Sequence, residues 1–186
     1  MALRQLMRII SGQARGRRLS APDTPGTRPA TDRVREAIFS SLGDTVVDAR
    51  VADLYAGSGS FGLEALSRGA RSAVFVEKGR KALDALRSNI GAVGLGGKVV
   101  PADVRRWLAE TEETFDLVFI DPPWDMPTSQ LDEDLALLDE RLAPGGTVVL
   151  SRRHGDREPE PPGTWSNAAD KRYGDTRIFR YEKVNR

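Results

Sequence analysis

The chain has 186 residues and carries 28 Lys+Arg against 27 Asp+Glu, a net charge of +1, which is enough chain for one domain with its own core. Its composition, 39% hydrophobic and 30% charged, excludes a disordered chain and an integral membrane protein. Without cysteine, and with His154 as its one histidine, it has no disulfide, thiolate zinc site, cysteine nucleophile or multi-histidine metal site, and no metal is expected.

No apolar run approaches the roughly 20 residues that span a bilayer. Met1 to Ile10 lack the apolar core of a signal peptide. A cytoplasmic monomer with no membrane contact is expected.

Charge is unevenly spread. Residues 1–35 hold eight arginines against Asp23 and Asp32; residues 36–150 hold 11 basic against 19 acidic side chains; residues 151–186 hold nine against six. Arginine suits phosphate backbones because its fork donates two parallel hydrogen bonds, although a solvated basic tail would look the same. Arg8 to Leu19 mixes apolar pairs, glycines and arginines, as a small basic β-hairpin does. Residues 20–31, with three prolines and a glycine, read as an irregular connector.

Thr31 or Asp32 then caps a helix with Val34, Ala37, Ile38 and Leu42 at helical spacing, stopped by Gly43. Strands predicted at Val51–Ala56, Ser72–Val76, Lys98–Pro101, Phe115–Ile120 and Thr147–Leu150 alternate with helices at Gly62–Arg68, Arg80–Val93, Val104–Ala109 and Leu131–Leu142. Such alternation predicts an α/β fold: a mostly parallel, doubly wound sheet covered on both faces. Trp107 fits its core. An acid- and proline-rich loop over 155–163 precedes Trp165–Tyr173 and Thr176–Lys183, which flank Gly174-Asp175 as a terminal antiparallel hairpin.

Asp53-Leu-Tyr-Ala-Gly57-Ser-Gly59-Ser-Phe-Gly62 lies where the first strand of this series gives way to a helix and satisfies G-x-G-x-x-G. Glycine lets the chain turn sharply and lets a ligand approach closely. Glu77 follows 20 residues after Gly57, the spacing at which a carboxylate reaches ribose hydroxyls. These features fit an adenosine-containing cofactor, either NAD or S-adenosylmethionine. Asp53 tilts the choice, because a carboxylate facing the loop repels a pyrophosphate but holds an ammonium. Asp103, after the third strand, is read equally as a partner for the adenine amino group and as a helix N-cap.

Asp121-Pro122-Pro123-Trp124 ends the strand Phe115–Ile120, beside the first strand, where the strand order should reverse. Two prolines remove two N–H donors and stiffen the turn, so acceptors remain: the Asp121 carboxylate and the Pro122 carbonyl. Two fixed acceptors hold both hydrogens of an exocyclic amino group and aim its lone pair at a methyl donor, which is catalysis by positioning. Trp124 can stack on an extruded base.

Residues 53–70, Val-Glu-Lys at 76–78 and Asp-Pro-Pro-Trp at 121–124 resemble class I S-adenosylmethionine-dependent methyltransferases that modify amino groups. With Arg28 to Phe39, the Arg-Ile-Ile-Ser-Gly start and Tyr173-Gly-Asp-Thr-Arg177, nearly the whole chain is similar to the bacterial 16S ribosomal RNA guanine-N2 methyltransferases. The resemblance implies a Rossmann-like seven-stranded sheet with a terminal antiparallel hairpin, a basic hairpin extension and connector over 1–27, and a methyltransferase domain over 28–186. It implies methyl transfer to N2 of a guanine in the small ribosomal subunit, with S-adenosylhomocysteine as product and Asp121, Pro122 and Trp124 at the reacting nitrogen. Cofactor contacts are expected from Asp53, Tyr55, Gly57, Ser58, Gly59, Glu77, Lys78, Asp103, Val104 and Thr31. RNA contacts are expected from Arg4, Arg8, Arg15, Arg17, Arg18, Arg28 and Arg35, and the Arg28–Arg35 segment would close over the site.

The chain departs from the family pattern at Ala30, where threonine is common, and at Trp124, where phenylalanine or tyrosine is usual. His154 reads as a bystander more readily than as a substrate contact. Other readings of the same residues are N6-adenine methylation, NAD-dependent oxidoreduction and RNA binding without catalysis.

Overall fold

The computed structural model describes residues 7–22, 24 and 29–185, so Arg4 and Arg28 lie outside the described residues. In chain order the elements are β1 (Met7–Arg8), β2 (Arg18–Leu19), α1 (Asp32–Leu42), β3 (Arg50–Leu54), α2 (Ser60–Ser67), β4 (Ser72–Glu77), α3 (Arg80–Val93), β5 (Lys98–Pro101), α4 (Val104–Glu110), β6 (Phe115–Ile120), α5 (Thr128–Leu138), β7 (Leu142–Arg153), β8 (Trp165–Tyr173) and β9 (Thr176–Lys183).

Strands β3 to β9 form one sheet in the order β5-β4-β3-β6-β7-β9-β8, parallel from β5 through β7 and antiparallel at β9 and β8. The order reverses between β3 and β6, placing the glycine loop and the Asp-Pro-Pro-Trp corner side by side at the carboxyl edge, where open α/β sheets bind ligands. The expected Rossmann-like sheet and terminal hairpin are both present.

Alternation along the strands splits the core. On β6, Leu117 and Phe119 face α1, α2 and α3 and meet Phe39, Phe61 and Leu86. Val118 and Ile120 face α4 and α5 and meet Leu108, Leu131 and Leu135. Trp107 is buried as expected, with its ring 5.7 Å from Phe115. Burial on both faces explains why these strands read as continuous apolar runs.

The element bounds differ most from the expectation at three places. Helix α2 begins at Ser60 because Gly59, at φ 81°, already ends the turn. Helix α5 begins at Thr128, just after Pro127, and passes through a single 3₁₀ turn at Asp139–Arg141. Strand β7 runs from Leu142 to Arg153, well beyond Thr147–Leu150, because β9 pairs with it from Thr147 to Arg153 and Pro144-Gly145-Gly146 is absorbed as an irregularity in its register with β6.

The β1–β2 hairpin belongs to the same core as the sheet, through Met7, Ile9, Ala14 and Leu19. Its polar backbone is satisfied by helix side chains. Glu64 accepts from Ile10 and Ser11 N–H at 2.9 and 3.1 Å, and Ser67 Oγ accepts from Ala14 N–H at 2.9 Å. Gly12 sits so close to α2 that a Cβ there would lie 1.9 Å from the Ser67 carbonyl oxygen.

Candidate active site

Strand β3 delivers Asp53 and then turns abruptly. Tyr55 adopts φ 56°, a left-handed conformation unusual for a non-glycine residue and costing about 1–3 kcal/mol unless its surroundings hold it. Its hydroxyl donates to buried Asp134 on α5, which also accepts from Arg105 at 3.1 Å. Burial and the adjacent Asp134 push the Tyr55 phenol well above its ordinary value, so it stays a donor.

The three glycines serve different ends. A Cβ on Gly59 would lie 2.5 Å from Leu86 Cδ1, and one on Gly62 would lie 2.4 Å from Phe75 Cε1. Both permit close packing of loop and helix. Gly57, at φ 55°, would meet nothing within 4 Å; there the loop is open for a ligand to lie against bare backbone. Glu77 fixes that opening from β4, accepting from Gly57 N–H at 2.9 Å with one oxygen and from Lys78 and Gly79 N–H at 2.9 and 2.7 Å with the other. Buried Asp53 accepts from Gly62 N–H at 2.9 Å.

These carboxylates share an uncompensated field. Burial raises Asp53 well above the ordinary aspartate value, and the charges of Asp121 and Glu77 push it further the same way. Burial likewise raises Asp121 to about 6, opposed by a hydrogen bond with Ser151 of β7. A cluster that lacks a cation among the described residues suits a ligand that brings one.

In the Asp-Pro-Pro-Trp corner, Pro123 carbonyl accepts from Met126 N–H at 3.1 Å, while among the described residues nothing donates to the Pro122 carbonyl. Trp124 is half-buried, and the Arg153 guanidinium lies 5.8 Å from its ring centroid. Buried Arg152 reaches the same loop from the other side of β7, donating to Met126 carbonyl at 2.9 Å and to Thr128 Oγ1 at 3.3 Å. Three successive residues of β7 thus hold the corner. The Arg-Arg pair at the end of the last parallel strand was the visible signal for two of them; Ser151 left none.

The remaining expected residues fall into two groups. Asp103 is exposed and caps α4, accepting from Arg106 N–H at 3.2 Å, with Lys78 Nζ at 3.3 Å. Ser58 is buried, and its carbonyl accepts from Asn89 at 2.9 Å. Val104 is packed in the core against α5. Thr31 is the exposed N-cap of α1, accepting from Val34 N–H at 3.2 Å. Arg8, Arg15, Arg17 and Arg18 are exposed, with Arg8 3.3 Å from Asp32 and Arg17 donating to Ala92 carbonyl at 2.8 Å.

Arg35 departs from the expected RNA contact. It is fully buried, donating to Asp32 at 2.6 Å and Arg8 carbonyl at 2.8 Å, with Glu64 at 3.5 Å. Its neighbours Ile38 and Leu42 point inward at helical spacing, and buried Glu64 supplies the counter-charge that lets an arginine follow them. His154 is exposed at the end of β7.

The family model described as "Conserved hypothetical protein 95" matches residues 7–182. "Ribosomal RNA small subunit methyltransferase D" of Escherichia coli K12 is 37% identical over 180 residues, 95% of this chain and 90% of the relative. The chain belongs to this methyltransferase D family. The Haemophilus influenzae member is 30% identical over 173 residues, 90% of this chain and 89% of the relative. A solved Escherichia coli structure superposes on this fold with TM-score 0.87 at 35% identity, covering 97% of this chain and 99% of that one. A Thermus thermophilus structure does so with TM-score 0.81 at 32% identity and the same coverage. The family thus spans hairpin, sheet and terminal strands together.

Proposed function

We propose that the chain transfers a methyl group from S-adenosylmethionine to the exocyclic N2 of a guanine in 16S ribosomal RNA, within an assembled or assembling small subunit. The observation that carries this reading is the juxtaposition of Asp53, Glu77 and Asp121, with no balancing cation among the described residues, beside an open glycine backbone and a proline-stiffened pair of acceptors. S-adenosylmethionine fits the residues present: its ammonium and sulfonium complement the three carboxylates, whereas the pyrophosphate of NAD would be repelled. When bound, it supplies an electrophilic methyl group for direct displacement.

The chain's own residues do the rest. Glu77 retains lone-pair capacity for a ribose hydroxyl, and Gly57 lets the cofactor approach the backbone. The Asp121 carboxylate and the Pro122 carbonyl accept the two amino hydrogens, drawing the nitrogen out of conjugation and orienting its lone pair, and Asp121 takes up the proton the nitrogen sheds once it is methylated. Trp124 stacks on the extruded base, a contact worth about 1–3 kcal/mol, and Arg153 backs the indole with a cation on its ring. Exposed arginines of the β1–β2 hairpin hold phosphates.

Incubation of small subunits lacking the modification with labelled S-adenosylmethionine, followed by nucleoside analysis, should yield N2-methylguanine. Asp121→Ala should lower transfer at least a hundredfold, since misplacing a reacting group by about 1 Å already costs that much. N6-methyladenine in the product, or full activity of Asp121→Ala, would refute the reading.

A further inference from the structure

We propose that a cleft between α1 and the β8–β9 hairpin is a second RNA subsite, which takes the phosphate and base of a nucleotide flanking the methylated one. It rests on the RNA methyltransferase reading above. The cleft has a volume of about 340 Å³, within the range of small-ligand sites. Val149 and Ile178 line it from the sheet, Ile38 from α1, and Tyr173, Lys171 and Arg180 from the hairpin.

Three observations select the ligand. The first is charge: the lining residues include two cations and no carboxylate. Among the described residues Lys171 has no ion pair. Arg180 donates through one terminal nitrogen to the Ser41 carbonyl at 2.9 Å, but its buried Nε has no hydrogen bond, the nearest carboxylate being Glu182 at 3.7 Å. The other guanidinium of β9, Arg177, is by contrast consumed by Asp170 and Glu158. A phosphodiester supplies the acceptor that Lys171 lacks, beside an Arg180 guanidinium whose Nε is not hydrogen-bonded. The second is shape. A register shift between Asn167 and Ala169 bulges β8 where the cleft is lined by Ala168 and Ala169, and Tyr173 lines the same cleft with a ring on which a base of any identity can stack.

The third is position. Ser151, bonded to Asp121, pairs with Ile178 across β7 and β9, and Ile178 pairs with Lys171 across β9 and β8. At about 4.8 Å between strands, Lys171 lies about 10 Å along this row from the residue that holds the catalytic carboxylate. A strand whose target base enters the Asp-Pro-Pro-Trp corner therefore passes over the cleft within a neighbouring nucleotide's reach. Tyr173, which opens the Tyr173-to-Arg177 motif, acquires a role that methyl transfer itself does not give it.

The test is methylation kinetics and equilibrium binding with unmodified small subunits across a salt series. Lys171→Ala should raise the KM for RNA about tenfold and reduce the slope of log affinity against log salt by about one. Its kcat at saturating RNA and its affinity for S-adenosylhomocysteine should match wild type. Tyr173→Ala should raise the same KM and Tyr173→Phe should restore it, whereas Lys98→Ala, on the opposite sheet edge, should change neither quantity. A folded Lys171→Ala with wild-type KM and salt slope, alongside an active wild type, would overturn the subsite alone. A wild type that transfers no methyl to the subunit would overturn the underlying reading and the subsite with it.

Discussion

Asp121 is a carboxyl whose surroundings oppose its charge, and that fixes how activity should respond to acid. Its folded value is raised to about 6, so below that pH it is protonated, and in the proposed reaction one oxygen would become a donor set against the substrate's own N–H. The kcat/KM for RNA should therefore be flat above pH 7 and fall about tenfold per unit below about 6. Asp121→Asn, an acceptor that does not titrate, should retain partial activity and lose this limb. Stability runs the opposite way: a folded value above the ordinary 3.8 means that ionisation weakens the fold, so this group's contribution is lost as pH rises from about 4 to 6. The positive charges of S-adenosylmethionine should offset that loss. Thermal-shift measurements at pH 5 and 7.5 should show the larger cofactor-induced rise at the higher pH.

At the scale of single elements, the glycine loop and the hairpin pinned to α2 make opposite demands. Gly57→Ala creates no clash and should cost about 1 kcal/mol of stability through its left-handed backbone, yet weaken cofactor binding strongly by filling the open face. Gly62→Ala drives a methyl to within 2.4 Å of the Phe75 ring and should lower stability by about 1–3 kcal/mol. Calorimetric titration beside thermal melts separates the two. Glu64 is the centre of the other arrangement: one buried carboxylate serves Ile10, Ser11, Arg35 and Arg68. Glu64→Ala leaves Arg35 buried without its full counter-charge and should destabilise by about 3–5 kcal/mol, readable by urea unfolding.

The helices and strands were legible because hydrophobic periodicity is a local signal, and the two site motifs because glycine and proline restrict the backbone wherever they occur. The roles of Glu64, Ser151 and Arg35 were not legible, because the partners that decide them lie 53 or 54, 30 and 29 residues away in the chain. A buried arginine and an RNA-gripping one are the same letter. What separates them is a carboxylate brought beside one of them by the fold.

Taken as a whole molecule, the protein sets its acidic catalytic edge among basic surfaces. Arg15, Arg17 and Arg18 project from a hairpin whose far end is fastened to the cofactor loop: Asn89 accepts from Ser20 N–H at 2.8 Å and donates to the Ser20 and Ser58 carbonyls, each at 2.9 Å. On the proposed function, phosphates gripped by the hairpin would thus be held at a fixed distance from the methyl donor. RNA affinity should be steeply salt-dependent, and each lost phosphate contact should reduce the slope of log affinity against log salt by about 0.7–0.9. Arg15→Ala with Arg18→Ala should then lower the slope by up to about two at unchanged cofactor affinity. Asn89→Ala should leave the slope alone and instead raise the KM for RNA and lower kcat together, because the grip persists while its register with the site is lost. Filter binding across a salt series, set beside steady-state kinetics on the same two variants, distinguishes loss of grip from loss of register.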